Sequence, residues 1–170
     1  MKKIAAIDIG SNAVRMLICF VIPSGDKYIF QKNSYLRLPI RLGEDSFKSG
    51  IISNSKINLL TNAILSFKYI MKVHEVEDYQ IYATSALRES SNSKEVISIV
   101  KEKTDLKIEL ITGLKEATII SKGNSLEKIG FNKTFLYVDV GGGSTEYSIL
   151  RRGKQKLSKS FKIGTVRLLN

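Results

Sequence analysis

The feature that most constrains this chain is the run Asp139-Val140-Gly141-Gly142-Gly143-Ser144-Thr145-Glu146, set between two apolar stretches, Phe135 to Val138 and Tyr147 to Leu150. The flanks predict a buried strand that turns sharply and returns as its antiparallel neighbour. Three successive glycines leave the turn without Cβ atoms, so consecutive backbone N–H groups can converge on one point and form a concavity suited to phosphate. Ser144 and Thr145 add hydroxyl donors, Asp139 is placed to hold a hydrated divalent cation, and Glu146 is a second carboxylate across the hairpin. An ordinary glycine-rich hairpin with solvated acids is the alternative, and one motif alone does not exclude it.

The same design occurs a second time. Ile4 to Ile7 predict a strand ending in Asp8-Ile9-Gly10-Ser11-Asn12, and Val14 to Ile22 predict its return. Two hairpins with the same order of strand, aspartate, apolar residue, glycine and small polar residue imply an internal duplication. Its two phosphate-facing turns would close on one polyanion from opposite sides.

Composition narrows the classes of partner. The 170 residues are 43% hydrophobic and 25% charged, an ordinary globular balance, and the net charge of +11 favours a polyanionic partner. The lysines are scattered, however, as on any solvated surface. Met1-Lys2-Lys3 is followed by an apolar run that Asp8 stops, without a cleavage-site pattern, so no signal peptide is expected. No run approaches the roughly 18 apolar residues of a membrane span. Cys19 is the only cysteine, which rules out an internal disulfide and predicts a reducing, cytoplasmic setting. With His74 the only histidine, a zinc site is not expected, and no specific nucleic-acid module is present.

Between the hairpins the chain reads as a mixed α/β domain. A turn at Pro23 to Asp26 leads to a third strand, Tyr28 to Leu38, and Pro39 to Gly50 is expected to be a polar loop carrying Arg41. Ser53-Asn54-Ser55 caps a long helix whose stripe is Ile57, Leu60, Ile64, Phe67 and Met71. Strand Tyr79 to Ala83 is followed by Thr84 to Glu89, with hydroxyls and Arg88 where α/β sheets place ligand-binding groups, or where a structural cap would sit. Asn92 and Glu95 form a capping-box-like pair before a second helix, with Val96, Ile97, Ile99 and Val100 as its apolar residues. Strand Lys107 to Ile111 precedes a third helix, Leu114 to Lys122. Glu116 lies in its first turn, where the helix dipole favours a carboxylate able to take a proton from water; a purely dipolar role is the common alternative.

The polar link Gly123 to Asn132 is the expected domain boundary. After the glycine hairpin comes a third strand, Gln155 to Phe161, and then Ile163-Gly164-Thr165-Val166-Arg167. About ninety residues follow the first three strands and almost none the second three, so the duplication predicts a truncated second copy, the chain then being a fragment.

Ile7-Asp8-Ile9-Gly10-Ser11-Asn12, Ala83 to Glu89, Gly113 with Glu116-Ala117, and Asp139 to Glu146 together resemble the exopolyphosphatase/guanosine pentaphosphate phosphohydrolase family in order and spacing, over nearly the whole chain. Gly164 to Arg167 resembles the sequence that follows the third strand of that family's second domain. The resemblance implies an α/β, actin-like ATPase (ribonuclease H-like) fold: a complete first domain βββαβαβα over residues 1–127, and the first three strands of a second, truncated copy over 133–170. It also implies hydrolysis of a phosphoanhydride, releasing the terminal phosphate of polyphosphate or guanosine pentaphosphate with Mg²⁺ or Mn²⁺. On that footing Glu116 is the catalytic base, and Asp139 and Glu146 are the essential acids. Asp8, Asp139 and Glu146 hold the metal, while Ser11, Asn12, Arg88, Gly141, Gly142, Gly143, Ser144 and Thr145 bind phosphate. A homodimer is implied at full length. Many members carry two adjacent glutamates where this chain has Lys115-Glu116. A nonhydrolytic polyphosphate or alarmone sensor and a small-molecule kinase of the same fold are the competing readings.

Overall fold

The computed structural model describes residues 1–123, 133–152 and 154–169. Strands β1 (Lys2–Ile9), β2 (Val14–Ser24) and β3 (Lys27–Leu38) form an antiparallel meander, and β4 (Asp78–Ala83) and β5 (Glu109–Leu110) add parallel strands in the order β3-β2-β1-β4-β5. Strand β2 runs past the expected end at Ile22 through Pro23 to Ser24. The ring is tolerated because β1 pairs only as far as Val21, so no ladder bond on that side is lost. β5 is shorter than the expected Lys107–Ile111, although Leu106, Ile108 and Ile111 are all buried.

Helix α1 (Leu42–Ser49) occupies the stretch expected to be a polar loop. Its start carries no recognisable cap: Arg41 sits in the left-handed region at φ 57°, and its side chain caps no backbone N–H of the first turn, its guanidinium donating to the Glu44 carboxylate at 3.4 Å. Glu44 and Asp45 in the first turn, Lys48 in the last and left-handed Gly50 after it complement the helix ends. Helix α2 (Asn54–Val73) follows the expected pattern. Ser53 Oγ accepts the Lys56 N–H at 3.4 Å, and Ile57, Leu60, Ile64, Phe67 and Met71 are buried.

After β4 come α3 (Ser85–Glu89), α4 (Ser93–Thr104) and α5 (Gly113–Gly123). The capping box expected at Asn92 does not form. Its Oδ1 accepts the Ile52 N–H at 3.0 Å and its Nδ2 donates to the Ile52 carbonyl at 2.9 Å, so the side chain ties α4 to the start of α2 instead. Relative to the expected βββαβαβα, the order is βββααβααβα, α1 and α3 being the added helices. Residues 124–132 of the expected boundary lie outside the described residues.

The second sheet is antiparallel, β6 (Thr134–Val140), β7 (Thr145–Arg151) and β8 (Lys154–Phe161). Its hydrogen bonding repeats that of the first meander. Ile9 pairs with Val14 and Val140 with Thr145, Gly10 N donates to Ala13 O at 3.1 Å and Gly141 N to Ser144 O at 2.8 Å. The register slips at Ile18/Cys19 in β2 and at the matching Ile149/Leu150 in β7. Burial does not repeat: β6, expected to be a buried strand, leaves Leu136 63% exposed and Val138 43%, and with Tyr147 and Leu157 they form an open apolar face.

In both halves the segment after the third strand clasps the hairpin turn. Gly43 N donates to Ser11 O at 2.8 Å, and Val166 N donates to Gly142 O at 2.9 Å. The clasps stack: a Cβ on Gly142 would lie 3.0 Å from Ser11 Cβ and 3.2 Å from Val166 Cγ2. Gly164 lies so close to the glycine turn that a Cβ there would meet Gly142 C and Gly143 N at 2.5 Å. Residues 141–143 are therefore glycine for close approach, since their φ angles lie outside the left-handed region.

Candidate active site

Four carboxylates arrive at one place from four elements. Asp8 and Asp139 are the penultimate residues of β1 and β6, Glu146 is the second residue of β7, and Glu116 lies in the first turn of α5. They line a cavity of about 110 Å³ together with Ser11, Asn12, Gly141, Gly142 and Ser144, so nine of the residues expected from the sequence share one wall. Gly143, Thr145 and Arg88 are not part of that wall. A Cβ on Gly143 would meet Ser85 Oγ at 2.5 Å, and the buried Thr145 hydroxyl donates to Ile163 O at 2.6 Å.

Burial and crowding raise the acids. Glu116 is pushed up to about 7, first by burial and then by the Glu146 charge, against the opposing pull of Arg88. Its Oε2 is buried with no hydrogen-bond partner. Arg88 Nη1 stands 3.6 Å away, an ion-pair distance too long for a hydrogen bond, and donates instead to the Ile111 carbonyl at 2.9 Å. Asp8 is raised by burial although Arg15 Nη1 donates to its Oδ2 at 2.8 Å, and Asp139 is raised by burial and by Glu146. Lys115 does not join this group: its ammonium pairs with Glu109 and lies 5.1 Å from the Tyr82 ring centre.

The hydroxyls mostly serve the protein itself. Ser144 Oγ and Ser160 Oγ donate to Glu146 Oε1 at 2.6 and 2.7 Å, which fixes that buried carboxylate, and Ser11 Oγ bonds to Ser85 Oγ at 2.8 Å. The free donors are in the backbone. The amides of Ser11, Asn12, Gly142, Gly143 and Ser144 have no acceptor among the described residues, and all of these but Gly143 line the cavity.

Thr84 and Ser85, the hydroxyls expected where β4 ends, line the cavity, whereas Arg15 and Ser160 belong to the site and were not anticipated from the sequence. Arg15 was detectable, because a four-residue hairpin turn puts it directly opposite Asp8. Ser160 carried no local signal. A wider cavity of about 300 Å³ adjoins the first, shares Asp8, Arg15, Glu116 and Asp139 with it, and is walled by Tyr82, Ile111 and Ile119. Among the described residues no three or more His, Cys, Asp or Glu side chains converge as a ready-made metal cage, and no helix is long and apolar enough to cross a membrane.

Two sheets built on one hydrogen-bonding plan, meeting turn to turn around clustered carboxylates, define the actin-like ATPase fold class. Within it, this chain belongs to the Ppx/GppA phosphatase family, whose profile matches residues 24–170. It is 35% identical over 169 residues to a bifunctional 3-dehydroquinate synthase/phosphatase of Fusobacterium nucleatum, covering 96% of this chain and 25% of that protein. It is 28% identical over 166 residues to a guanosine-5'-triphosphate,3'-diphosphate pyrophosphatase of Aeromonas hydrophila, covering 98% of this chain and 32% of the other. The crystal structure of an exopolyphosphatase from Cytophaga hutchinsonii superposes with a TM-score of 0.86 at 26% identity, over 99% of this chain and 53% of that one. The chain thus spans between a quarter and about half the length of these relatives.

Proposed function

We propose that the site hydrolyses a terminal phosphoanhydride of polyphosphate or guanosine pentaphosphate. The observation that carries this reading is Glu116: a buried carboxylate oxygen without a hydrogen-bond partner, facing uncommitted backbone amides across a small polar cavity. Phosphoryl transfer needs little from a protein beyond positioning, charge stabilisation and a proton acceptor. Glu116 takes a proton from water, the water oxygen bonds to the terminal phosphorus, and the bridging P–O bond breaks to leave inorganic phosphate and the shortened chain. The Ser11, Asn12, Gly142 and Ser144 amides receive the phosphate oxygens, and Arg88 beside Glu116 meets the charge that develops. The names of the relatives support a phosphatase, and those of the second and third support these two substrates for those proteins.

The donor set fits a divalent cation. Asp8, Asp139 and Glu146 crowd enough negative charge together that burial and mutual repulsion raise the first two, and among the described residues Arg15 is the only cation hydrogen-bonded to any of the three. The lack of a complete protein cage suits Mg²⁺ or Mn²⁺ retaining water and phosphate ligands. Held by these carboxylates, the cation supplies neutralising charge to the phosphate oxygens.

The test is phosphate release from long-chain polyphosphate and from guanosine pentaphosphate with Mg²⁺, wild type against Glu116→Gln. Loss of a base predicts a roughly 10²–10⁴-fold fall in turnover with substrate binding kept. Tight binding with no release by the wild type would identify a nonhydrolytic sensor instead.

A further inference from the structure

Arg167 is the most heavily engaged cation in the described structure and touches none of the four carboxylates discussed above. Its Nε donates to the Gly143 carbonyl at 2.9 Å, and its Nη2 donates to both oxygens of Glu89 at 2.8 Å. Its guanidinium lies 4.0 Å from the centre of the Phe47 ring. Only about a quarter of the side chain is exposed. One residue thereby joins the glycine turn to α1 and to the last residue of α3. That short helix also carries Ser85, bonded to Ser11, and Arg88, beside Glu116.

We propose that Arg167 is a positioning residue that holds the glycine turn in its phosphate-accepting form and sets it in register with α3. The peptide group is planar, so the Gly143 C=O and the Ser144 N–H point in opposite directions. Anchoring the carbonyl on the Arg167 side turns the Ser144 amide the other way, and Ser144 lines the cavity. A lysine cannot do the same work, since a single ammonium lacks the planar fork that reaches a carboxylate and a carbonyl together while stacking on an aromatic ring. The inference rests on the cavity being a phosphate site, as proposed above.

Two measurements separate the clamp from that reading: amide hydrogen exchange of residues 141–144 without ligand, and binding of inorganic tripolyphosphate. Arg167→Gln is expected to speed exchange across the turn by about tenfold or more while Met16 and Ile18 in β2 keep wild-type protection, and to weaken tripolyphosphate binding by a similar factor. Arg167→Lys should behave like Arg167→Gln, Glu89→Gln should shift both readouts in the same direction, and the double variant Glu89→Gln/Arg167→Gln should be no worse than Arg167→Gln. Should Arg167→Gln fail to fold, Arg167→Lys and Glu89→Gln carry the test. Unchanged exchange of the turn in the folded variants, or a lysine variant equal to wild type in both measurements, overturns the clamp. If wild type binds no tripolyphosphate, the phosphate reading falls, and exchange in the turn alone decides the clamp.

Discussion

Asp139 faces Glu146 across the second hairpin at the register where Asp8 faces Arg15 across the first. The backbone plan is duplicated, and the charge is not: one turn ends in an ion pair at 2.8 Å and the other in two carboxylates. A nearly symmetric scaffold thereby acquires one neutralised side and one strongly negative side. The repulsion from Glu146 reaches Glu116 as well.

Glu146→Gln therefore lowers the affinity of Glu116 and Asp139 for protons, because it removes a negative neighbour from both. Carbon-detected titration of the two carboxyls should show both midpoints moving to lower pH. An unmoved Glu116 would mean that burial alone sets its value.

Turnover of the wild type should rise with pH through about 7 and then level off, following ionisation of Glu116 as the base. Mg²⁺ should move that midpoint downward, since a cation favours the ionised carboxylates around it. A pH–rate profile with no midpoint between about 4.5, the ordinary glutamate value, and about 7 would place the catalytic proton elsewhere.

The same residue makes a stability prediction. The folded state holds the Glu116 proton more tightly than the unfolded chain does, so the group costs nothing below about pH 4.5 and progressively more as pH rises to about 7. Glu116→Gln should match wild-type stability at pH 4 and exceed it at pH 8, by on the order of 3 kcal/mol at most. Denaturant melts at the two pH values measure this directly, and a destabilised glutamine variant at pH 8 would contradict it.

Gly164→Ala and Gly113→Ala differ by one methyl group each and should have opposite fates. At Gly164 the new Cβ collides with the backbone of the glycine turn, which cannot yield as a side chain would, whereas at Gly113 the nearest atoms lie 3.7 Å away at the start of α5. The first should lose phosphate binding and about 2 kcal/mol or more of stability. The second should be neutral or stabilising by up to about 1 kcal/mol. Thermal melts with and without tripolyphosphate distinguish them.

Phe67→Ala in α2 should cost roughly 3–5 kcal/mol, because Phe67 is fully buried on the first sheet. Leu136→Ser, at an exposed position of the second sheet, should cost little and improve solubility. Comparable losses for both would show that the open apolar face is covered in solution.

Hydrophobic spacing made the strands and α2 legible, since each signal is local and strong, and the repeated glycine turns revealed the duplication. Helix α1 was not legible, because its start at left-handed Arg41 offers no cap and its stability comes from Leu42, Gly43 and Ser46 buried against other elements. Asn92 misled for a related reason: the residue type fits a helix cap, but its side chain is satisfied by Ile52, forty positions away. At the site, the carboxylates were visible as motif members. The fate of the hydroxyls was not, because whether Ser144 serves a ligand or Glu146 depends on a neighbour two residues on and on Ser160 from another strand.

The stacked clasps have one more consequence. Ser11 and Gly142 both line the cavity and approach so closely that a Cβ on Gly142 would crowd the Ser11 Cβ, while their carbonyls accept backbone hydrogen bonds from Gly43 and Val166, so the spacing of the two turns is set by main-chain packing and not by the rotamer of any lining side chain.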